Sequence, residues 1–256
     1  MGDLKTKLKR ITPLYNLYLF FFNKKEYLHK KKEKSFLKKL GPFRLIFDIG
    51  ANTGNKTALF NSLGATVIAV EPDKLNYQLL VSRFKSNKKI TVLPFAVSNN
   101  IGTATFFLNE PGSAFNTLSN KWKETLEDPE ANRWKTSKKF QDVIEVETVT
   151  LDHLIDKNGK PDYIKIDVEG HELSCIKGLH NKIPLISLEA NLPEFRSETL
   201  AIINHLKSID ENVLFNYIKN DENFELKKNV SADEFYNLIS ETQIKYMDIF
   251  SFTTIS

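Results

Sequence analysis

The segment RLIFDIGANTGNKT, residues 44–57, decides the fold. Its first half, RLIFDIG, is an apolar run that predicts a buried strand, and residues 53–63 predict a helix that ends at Gly64. Gly50 and Gly54 predict a sharp turn between the two elements, because glycine adopts backbone angles that other residues avoid. A strand that passes through a glycine turn into a helix is the first unit of a parallel sheet covered by helices.

The rest of the chain continues to alternate between strands and helices. Strands are predicted at 66–72, 90–98, 103–110, 162–170, 184–191, 213–219 and 245–254, with a strand running into a short helix at 143–155 and a short strand near Phe224. Helices are predicted at 73–86, 171–179, 198–208 and 232–241. We therefore predict an α/β fold with a doubly wound, Rossmann-like sheet and helices on both faces. The polar segment 112–142, which carries Trp122 and Trp134, is predicted to be an insertion or lid.

Length and charge divide the chain into a head and a body. The 256 residues, 41% of them hydrophobic, suit one main domain, residues 41–256, preceded by a basic helical extension, residues 1–40. The extension holds twelve Lys or Arg against three Asp or Glu, so the body is mildly acidic. An acidic body argues against nucleic acid as a partner. The single cysteine, Cys175, excludes an intramolecular disulfide and a thiolate-rich metal cluster.

The extension predicts where the protein works. Its apolar run, residues 17–22, is far shorter than the roughly 20 residues that span a bilayer, and no signal-peptide cleavage site follows it. We therefore predict a cytoplasmic protein. Tyr15, Leu19 and Phe22 lie between lysines at helical spacing, which predicts peripheral contact with an anionic membrane at its inner face. Alternatively, this stripe packs on the sheet domain or on a second subunit; the oligomeric state is left open.

The glycine turn predicts a ligand site. Its spacing is Gly-x-x-x-Gly, with Asp48 two residues before Gly50, unlike the Gly-x-Gly-x-x-Gly turn that cradles a dinucleotide. Asp48 and Asn52 supply polar groups suited to a zwitterionic amino-acid tail. The alternative is a tight turn with no ligand.

A second strand end supports the ligand. Glu71 ends strand 66–72, 23 positions after Asp48, where a carboxylate can accept hydrogen bonds from both hydroxyls of a ribose. The end of the third strand, from Phe95 through Ala96 to Ser98, is a weaker candidate for the border of an adenine ring. Together these positions predict a nucleoside that carries an amino-acid tail.

The segment IKIDVEGHE, residues 164–172, predicts the reactive part of the site. By strand periodicity Lys165, Asp167 and Glu169 share one face at the carboxyl edge of the sheet. Three charged side chains in a buried strand are costly unless they pair with one another or with a ligand. A purely structural Lys165–Asp167 pair is the alternative. The neighbouring strand repeats the alternation, which predicts that Glu189 reaches the same crevice.

Four segments, DIGANTGNKT, VEP, TVTLDHLI and IKIDVEGHE, together resemble the FkbM family of S-adenosylmethionine (SAM)-dependent methyltransferases over about residues 43–191. The resemblance implies a class I methyltransferase fold, SAM as the methyl donor, and O-methylation of sugars in glycans or of polyketide-like products. The donor-binding positions that we assign are Asp48, Gly50, Ala51, Asn52, Thr53, Gly54, Glu71 and Ala96. The family pattern also carries over to Asp167, Glu169 and Gly170, whereas His171 stands where many relatives have a small residue.

Methylation of a hydroxyl requires a group that accepts its proton, because an alcohol ionises far above neutral pH. The candidates in order are Asp167, Glu169 and His171, with Lys165 orienting a carboxylate or the acceptor. We assign no metal site, although carboxylates at 167, 169 and 189 could alternatively hold a divalent cation. The rival functions are a nucleic-acid methyltransferase and a membrane-associated binding module for SAM or a nucleotide. The glycine spacing disfavours a nicotinamide oxidoreductase.

Overall fold

The computed structural model describes residues 23–130, 132, 135, 137–220 and 223–254. Over these residues the strands are β1 Leu45–Ile49, β2 Thr66–Val70, β3 Ile90–Leu93, β4 Ala96–Val97, β5 Gly102–Leu108, β6 Asp142–Val149, β7 Tyr163–Ile166, β8 Leu185–Asn191, β9 Leu214–Ile218, β10 Val230–Ser231 and β11 Tyr246–Phe252. The helices are α1 Lys24–Leu40, α2 Asn55–Ser62, α3 Lys74–Phe84, α4 Asn120–Glu127, α5 Leu151–Asn158, α6 Glu172–Lys177, α7 Arg196–Ile209 and α8 Ala232–Glu241.

The central sheet has eight strands in the order β10-β9-β11-β8-β7-β1-β2-β3. Strands β8, β7, β1, β2 and β3 run parallel, whereas β11 lies antiparallel between β8 and β9. The order reverses at β1, whose two neighbours are β2 and β7. In an open parallel sheet a ligand binds beyond the carboxyl ends of the strands at such a reversal. The predicted doubly wound α/β fold is confirmed, and its switch point lies at the glycine turn.

Helices cover both faces of the sheet. The larger core packs the aliphatic residues of the strands against α5, α6, α7 and α8. The smaller core packs the other face against α1, α2 and α3. Strand residues such as Phe47 and Ile164 point to the first core, and their neighbours Ile46 and Tyr163 point to the second. The apolar runs read from the sequence are therefore strands buried on both faces.

The third predicted strand, 90–98, is divided in the structure. Pro94, which has no backbone N–H to donate, separates β3 in the main sheet from β4, which pairs with β6 in a second sheet of order β4-β6-β5. The predicted extra strand at 103–110 is the edge strand β5 of this sheet. The short strand predicted near Phe224 is wrong: the short strand is β10, and the Phe224 ring packs on Phe250 instead.

The described part of the basic extension packs on the sheet domain. Helix α1 begins after Asn23, whose side chain accepts a hydrogen bond from the Glu26 N–H, and it buries Phe36 and Leu37 in the smaller core. Tyr15, Leu19 and Phe22, which suggested a membrane-facing stripe, lie outside the described residues, so membrane contact stays a prediction. Among the residues described, no helix has the length and apolar character needed to span a bilayer.

The segment predicted as an insertion or lid, 112–142, contains α4. Trp122 on this helix is buried against Phe195 and lies in a small cluster with Leu126 and Phe140. Trp134 lies outside the described residues.

Candidate active site

The glycine turn brings backbone to the carboxyl end of β1 at very short range. Gly50 has φ +75, and the Gly50 and Ala51 N–H groups both donate to the Val70 carbonyl. A Cβ at Gly50 would lie 1.9 Å from the Asp167 carbonyl oxygen. Only glycine fits where the turn after β1 passes this close to the end of β7.

The other half of the turn begins α2. Asn52 has φ +48, and its side-chain oxygen accepts a hydrogen bond from the Thr53 N–H at 2.6 Å. Gly54, with φ +79, is the N-cap of α2, and a Cβ there would meet the side chains of Leu80 and Phe84 on α3. The second glycine is therefore required for packing between α2 and α3, whereas the first is required at the ligand edge.

Glu71 locks the turn to the end of β2. Its carboxylate accepts one hydrogen bond from the Asn52 N–H at 2.7 Å and one from the Asp73 N–H at 2.9 Å. Burial raises the pKa of Glu71 to about 7, although these two N–H groups oppose the shift. The carboxylate lines the cavity in front of the sheet and has lone pairs left for a ligand.

That cavity, which we call the donor cavity, has a volume of about 120 Å³. It is lined by Ile49, Gly50, Asn52, Val70, Glu71, Pro72, Phe95, Ala96, Val97, Phe106, Ser113, Ala114, Asn116, Leu118, Asp167, Val168, Glu169 and His171. Its walls are thus the ends of β1, β2, β4 and β7 together with one side of the second sheet.

The loop before α4 closes one side of the donor cavity. Asp73, the N-cap of α3, accepts hydrogen bonds from the Gly112 N–H at 3.1 Å and from the Asn116 amide at 3.0 Å. The Thr117 hydroxyl donates to the Glu169 carbonyl at 2.7 Å. Sequence analysis did not identify Asp73 or Asn116, because their meeting depends on a contact between residues 43 positions apart.

Lys165 forms an ion-pair network behind the turn. Its ammonium lies 3.0 Å from Asp167 Oδ2, 3.7 Å from Asp48 Oδ1 and 3.3 Å from the Gly50 carbonyl. Burial opposes the charge of Lys165, but the two carboxylates outweigh it, so the pKa of this lysine is raised. The predicted pairing within the strand is present, and it extends to Asp48.

Asp48 lies inside the sheet rather than on the cavity wall. Its side chain is fully buried, and the Thr57 hydroxyl donates to it at 2.6 Å. Burial raises the pKa of Asp48, although Lys165 and Thr57 oppose this. Asp48 therefore braces the turn and Lys165 from behind, whereas we had expected it to contact the ligand.

The expected strand alternation does not continue to Glu169. Strand β7 ends at Ile166, and Glu169 has φ +54, in the left-handed region, so Lys165 and Glu169 do not share a strand face. Glu169 lines the donor cavity, Lys165 lines a second cavity described below, and Asp167 lines both. Asp167 therefore lies between the two cavities.

The carboxylates of Asp167, Glu169 and Glu189 nevertheless converge. One oxygen from each lies within 4.8 Å of the others, the kind of oxygen cluster that hard divalent cations use. Burial raises the pKa of Glu189 to about 8, with further increase from Asp167, and burial together with Glu189 raises the pKa of Glu169 well above its usual value. Burial and mutual repulsion therefore favour the protonated forms of Glu169 and Glu189 near neutral pH.

His171 and Glu172 finish the loop after β7. Nε2 of His171 lies 3.1 Å from the Ser98 hydroxyl, and burial lowers the pKa of this histidine to about 4. Glu172 accepts hydrogen bonds from the Val168 and Gly170 N–H groups, and burial raises its pKa to about 7. A neutral imidazole at the cavity wall suits contact with a ligand ring more than proton transfer at neutral pH.

Of the twelve predicted site residues, eight line one or both of the two cavities and four line neither. Of the predicted donor residues, Gly50, Asn52, Glu71 and Ala96 line the donor cavity. Asp48, Ala51, Thr53 and Gly54 do not; they shape the turn. Of the predicted catalytic residues, Asp167, Glu169 and His171 line the donor cavity, and Lys165 lines the second.

The raised carboxyl pKa values predict that stability falls as pH rises from 6.5 to 8. In the folded chain the pKa values of Glu71 and Glu172 are about 7 and that of Glu189 is about 8, against 4.5 for an ordinary glutamate. Above pH 4.5 the folded chain therefore binds more protons than the unfolded chain, and stability is lost up to the folded pKa. His171 acts in the opposite direction only between about 4 and 6.5.

Thermal unfolding at pH 6.5 and pH 8 tests this, and the melting temperature is expected to be lower at pH 8. Glu172→Gln keeps an acceptor oxygen for the two N–H groups and removes the titration, so its decrease should be smaller. An equal or higher melting temperature at pH 8 would contradict the assignment of protonated buried carboxyls.

A family model and a curated protein match parts of this chain. The family model described as the Methyltransferase FkbM domain matches residues 48–217. Hexuronic acid methyltransferase AglP of Haloferax volcanii is 25% identical over 147 residues, which cover 56% of this chain and 53% of that protein. The matched region thus spans about half the length of the curated relative.

Two solved structures show weaker similarity. An O-methyltransferase of Bacillus cereus in complex with SAH is 11% identical at a TM-score of 0.40, covering 88% of this chain and 81% of the other. A ribosomal protein L11 methylase of Lactobacillus delbrueckii is 12% identical at a TM-score of 0.40, covering 90% of this chain and 80% of the other.

Proposed function

The chain belongs to the FkbM methyltransferase family, and we propose that it transfers a methyl group from SAM to a hydroxyl of a sugar or glycan acceptor. One observation carries the proposal: Asp167 stands at the wall of the same cavity that Gly50, Asn52 and Glu71 line. A site for a nucleoside and a carboxylate able to accept a proton therefore lie within one crevice.

The residues present fit SAM. Gly50 has no side chain and lines the donor cavity, so a ligand can approach the peptide backbone there. Glu71 offers carboxylate lone pairs to the two ribose hydroxyls, while its own position is held by two backbone N–H groups. Phe95, Ala96 and the neutral His171 form a surface of the kind that an adenine ring contacts.

SAM, when bound, supplies a methyl group on a positively charged sulfur. Asp167 would accept the proton of the acceptor hydroxyl, so that the hydroxyl oxygen can take the methyl group that SAM would supply. Lys165 holds the Asp167 carboxylate at 3.0 Å and fixes the direction of its lone pairs. The loop from Gly112 to Leu118 excludes water from the donor side.

A sugar is the acceptor class that the observations support best. The relative in Haloferax volcanii is named a hexuronic acid methyltransferase, and its similarity to this chain is low. Carboxylates and hydroxyls at the carboxyl edge of the sheet are the groups that bind polyols. A polyketide-like hydroxyl product is the alternative acceptor class.

Isothermal titration calorimetry distinguishes the proposed enzyme from the rival classes. The enzyme binds SAM and its demethylated product SAH and releases SAH when a sugar acceptor is present. A binding module without activity binds SAM but forms no SAH. A nucleic-acid methyltransferase forms SAH only when an oligonucleotide is the acceptor. Absence of SAM binding would reject the proposed function.

Replacing Glu71 with alanine is expected to weaken SAM binding by roughly 30- to 1,000-fold. Two hydroxyl hydrogen bonds to a charged acceptor contribute on the order of 1–2 kcal/mol each, and about 1.4 kcal/mol corresponds to a tenfold change in Kd. In the unchanged protein, affinity should also rise from pH 6 to pH 8 as Glu71, with its pKa of about 7, becomes ionised. Calorimetry at both pH values measures the two effects.

The matched control is Glu145→Ala, which removes an exposed glutamate on β6 that lines neither cavity. Because Glu71 also holds the Asn52 and Asp73 N–H groups, the unfolding temperature of each variant is measured alongside. A folded Glu71→Ala protein with unchanged SAM affinity would remove Glu71 from the donor site.

A further inference from the structure

A second cavity adjoins the donor cavity, and we propose that it binds the sugar ring of the acceptor. The inference rests on the proposed function. This acceptor cavity has a volume of about 290 Å³ and lies between α1 and the face of the sheet formed by β7, β8, β9 and β11. Asp167 lines both cavities, so groups bound in the two would meet at this carboxylate.

The floor of the acceptor cavity is polar. Glu189 and Asp248 are direct cross-strand partners on β8 and β11, so their side chains emerge on the same face. Oε2 of Glu189 is buried and has no hydrogen-bond partner among the described residues. On the same floor the hydroxyls of Tyr163 and Ser187 lie 2.6 Å apart. A buried polar oxygen without a partner is costly, and a ligand hydroxyl would provide that partner.

The roof of the acceptor cavity is apolar. Phe36 and Leu37 of α1 and Phe60 of α2 line it from above, with Phe250 of β11 beside them. Carboxylates on one side and aromatic rings on the other match a sugar ring, whose hydroxyls point outward and whose C–H faces are apolar. With adenosine in the donor cavity, as the proposed function requires, the two cavities separate donor from acceptor.

The mouth of the acceptor cavity is charged. Lys56 of α2 pairs with the buried Glu33 of α1 there and ties the two helices together. Lys219 lies on the opposite side, at the end of β9. Because this ion pair holds α1 against α2, helix α1 forms part of the cavity wall.

About half of the residues that line the acceptor cavity lie outside the family match. Helix α1 precedes residue 48, while Tyr246 and Asp248 follow residue 217. The donor cavity, in contrast, is built entirely from residues inside the match. The donor cavity thus lies within the matched region, whereas the acceptor cavity combines matched residues with residues outside the match, and we assign α1 a part in acceptor choice.

A single introduced cysteine tests the proposal. Cys175 is the chain's one cysteine and is fully buried, so a cysteine placed at the exposed, cavity-lining Asn220 becomes the reactive thiol. The rate at which benzyl methanethiosulfonate modifies Asn220→Cys is measured alone, with SAM, and with methyl β-D-glucuronide. Ser86→Cys, an exposed position that lines neither cavity, is the matched control.

The glucuronide is expected to slow modification of Asn220→Cys roughly tenfold at about ten times its Kd, and to leave Ser86→Cys unchanged. After modification, Asn220→Cys should bind SAM as before and no longer bind the sugar. Protection by SAM alone, or SAM binding without any protection by the sugar, would overturn the acceptor assignment. If the protein binds no SAM at all, it is the proposed function that fails.

Discussion

Replacing Asp167 with asparagine is expected to lower kcat by about 10²–10⁴-fold, the usual contribution of a positioned general base. The change preserves the size of the side chain and removes the oxygen that accepts the acceptor proton. Because Lys165 keeps Asp48 as a second partner, the turn should stay folded. SAM affinity should change by only a few fold. Initial rates of SAH release with saturating acceptor, together with calorimetry, measure the two quantities.

Glu189→Gln separates proton transfer from cation binding at the same cluster. If Asp167 acts as the base, Glu189→Gln affects mainly the acceptor KM, and a chelator leaves the rate unchanged. If the three carboxylates hold a divalent cation, both variants lose activity, EDTA abolishes it, and Mg²⁺ restores it. Turnover by Asp167→Asn within a few fold of the unchanged protein would exclude Asp167 as the proton acceptor.

The sheet and the donor side of the site could be predicted because their signals are local. Each buried strand is a continuous apolar run, and each turn residue stands next to the strand it ends. Gly50, Asn52 and Glu71 could therefore be predicted as site residues from short segments of the sequence. The third strand was misjudged for a similarly local reason: a single apolar run continues across Pro94, although the backbone changes sheets there.

The rest depends on which strands become neighbours. Asp48 lies opposite Lys165 only because β1 pairs with β7. The contact between Lys165 and the Gly50 carbonyl, for example, joins residues 115 positions apart in the sequence. This strand pairing places the Asp48 carboxylate inside the sheet. Glu169 departed from the predicted face because the strand stops at Ile166. The acceptor cavity needs α1, β9 and β11 to meet, and no segment of sequence contains that information.

Replacing Gly50 with alanine is expected to abolish measurable SAM binding and to destabilise the fold. The added Cβ would stand 1.9 Å from the Asp167 carbonyl oxygen, a backbone atom that cannot rotate away. Either the turn or the end of β7 has to move, and both carry the donor site. The left-handed φ of +75 adds strain on the order of 1 kcal/mol or more for a residue with a side chain.

Gly64→Ala is the control that separates strain from the close approach. Gly64 also has a left-handed φ, +101, but nothing lies within 4 Å of the position its Cβ would occupy. The Gly64→Ala variant should therefore show only the effect of backbone strain, which is a lower melting temperature with an unchanged affinity for SAM. Calorimetry and thermal unfolding of the two variants, side by side, measure the difference. If Gly50→Ala binds SAM as Gly64→Ala does, the donor does not lie against the turn between β1 and α2, and the cradle assigned to Gly50, Asn52 and Glu71 is wrong.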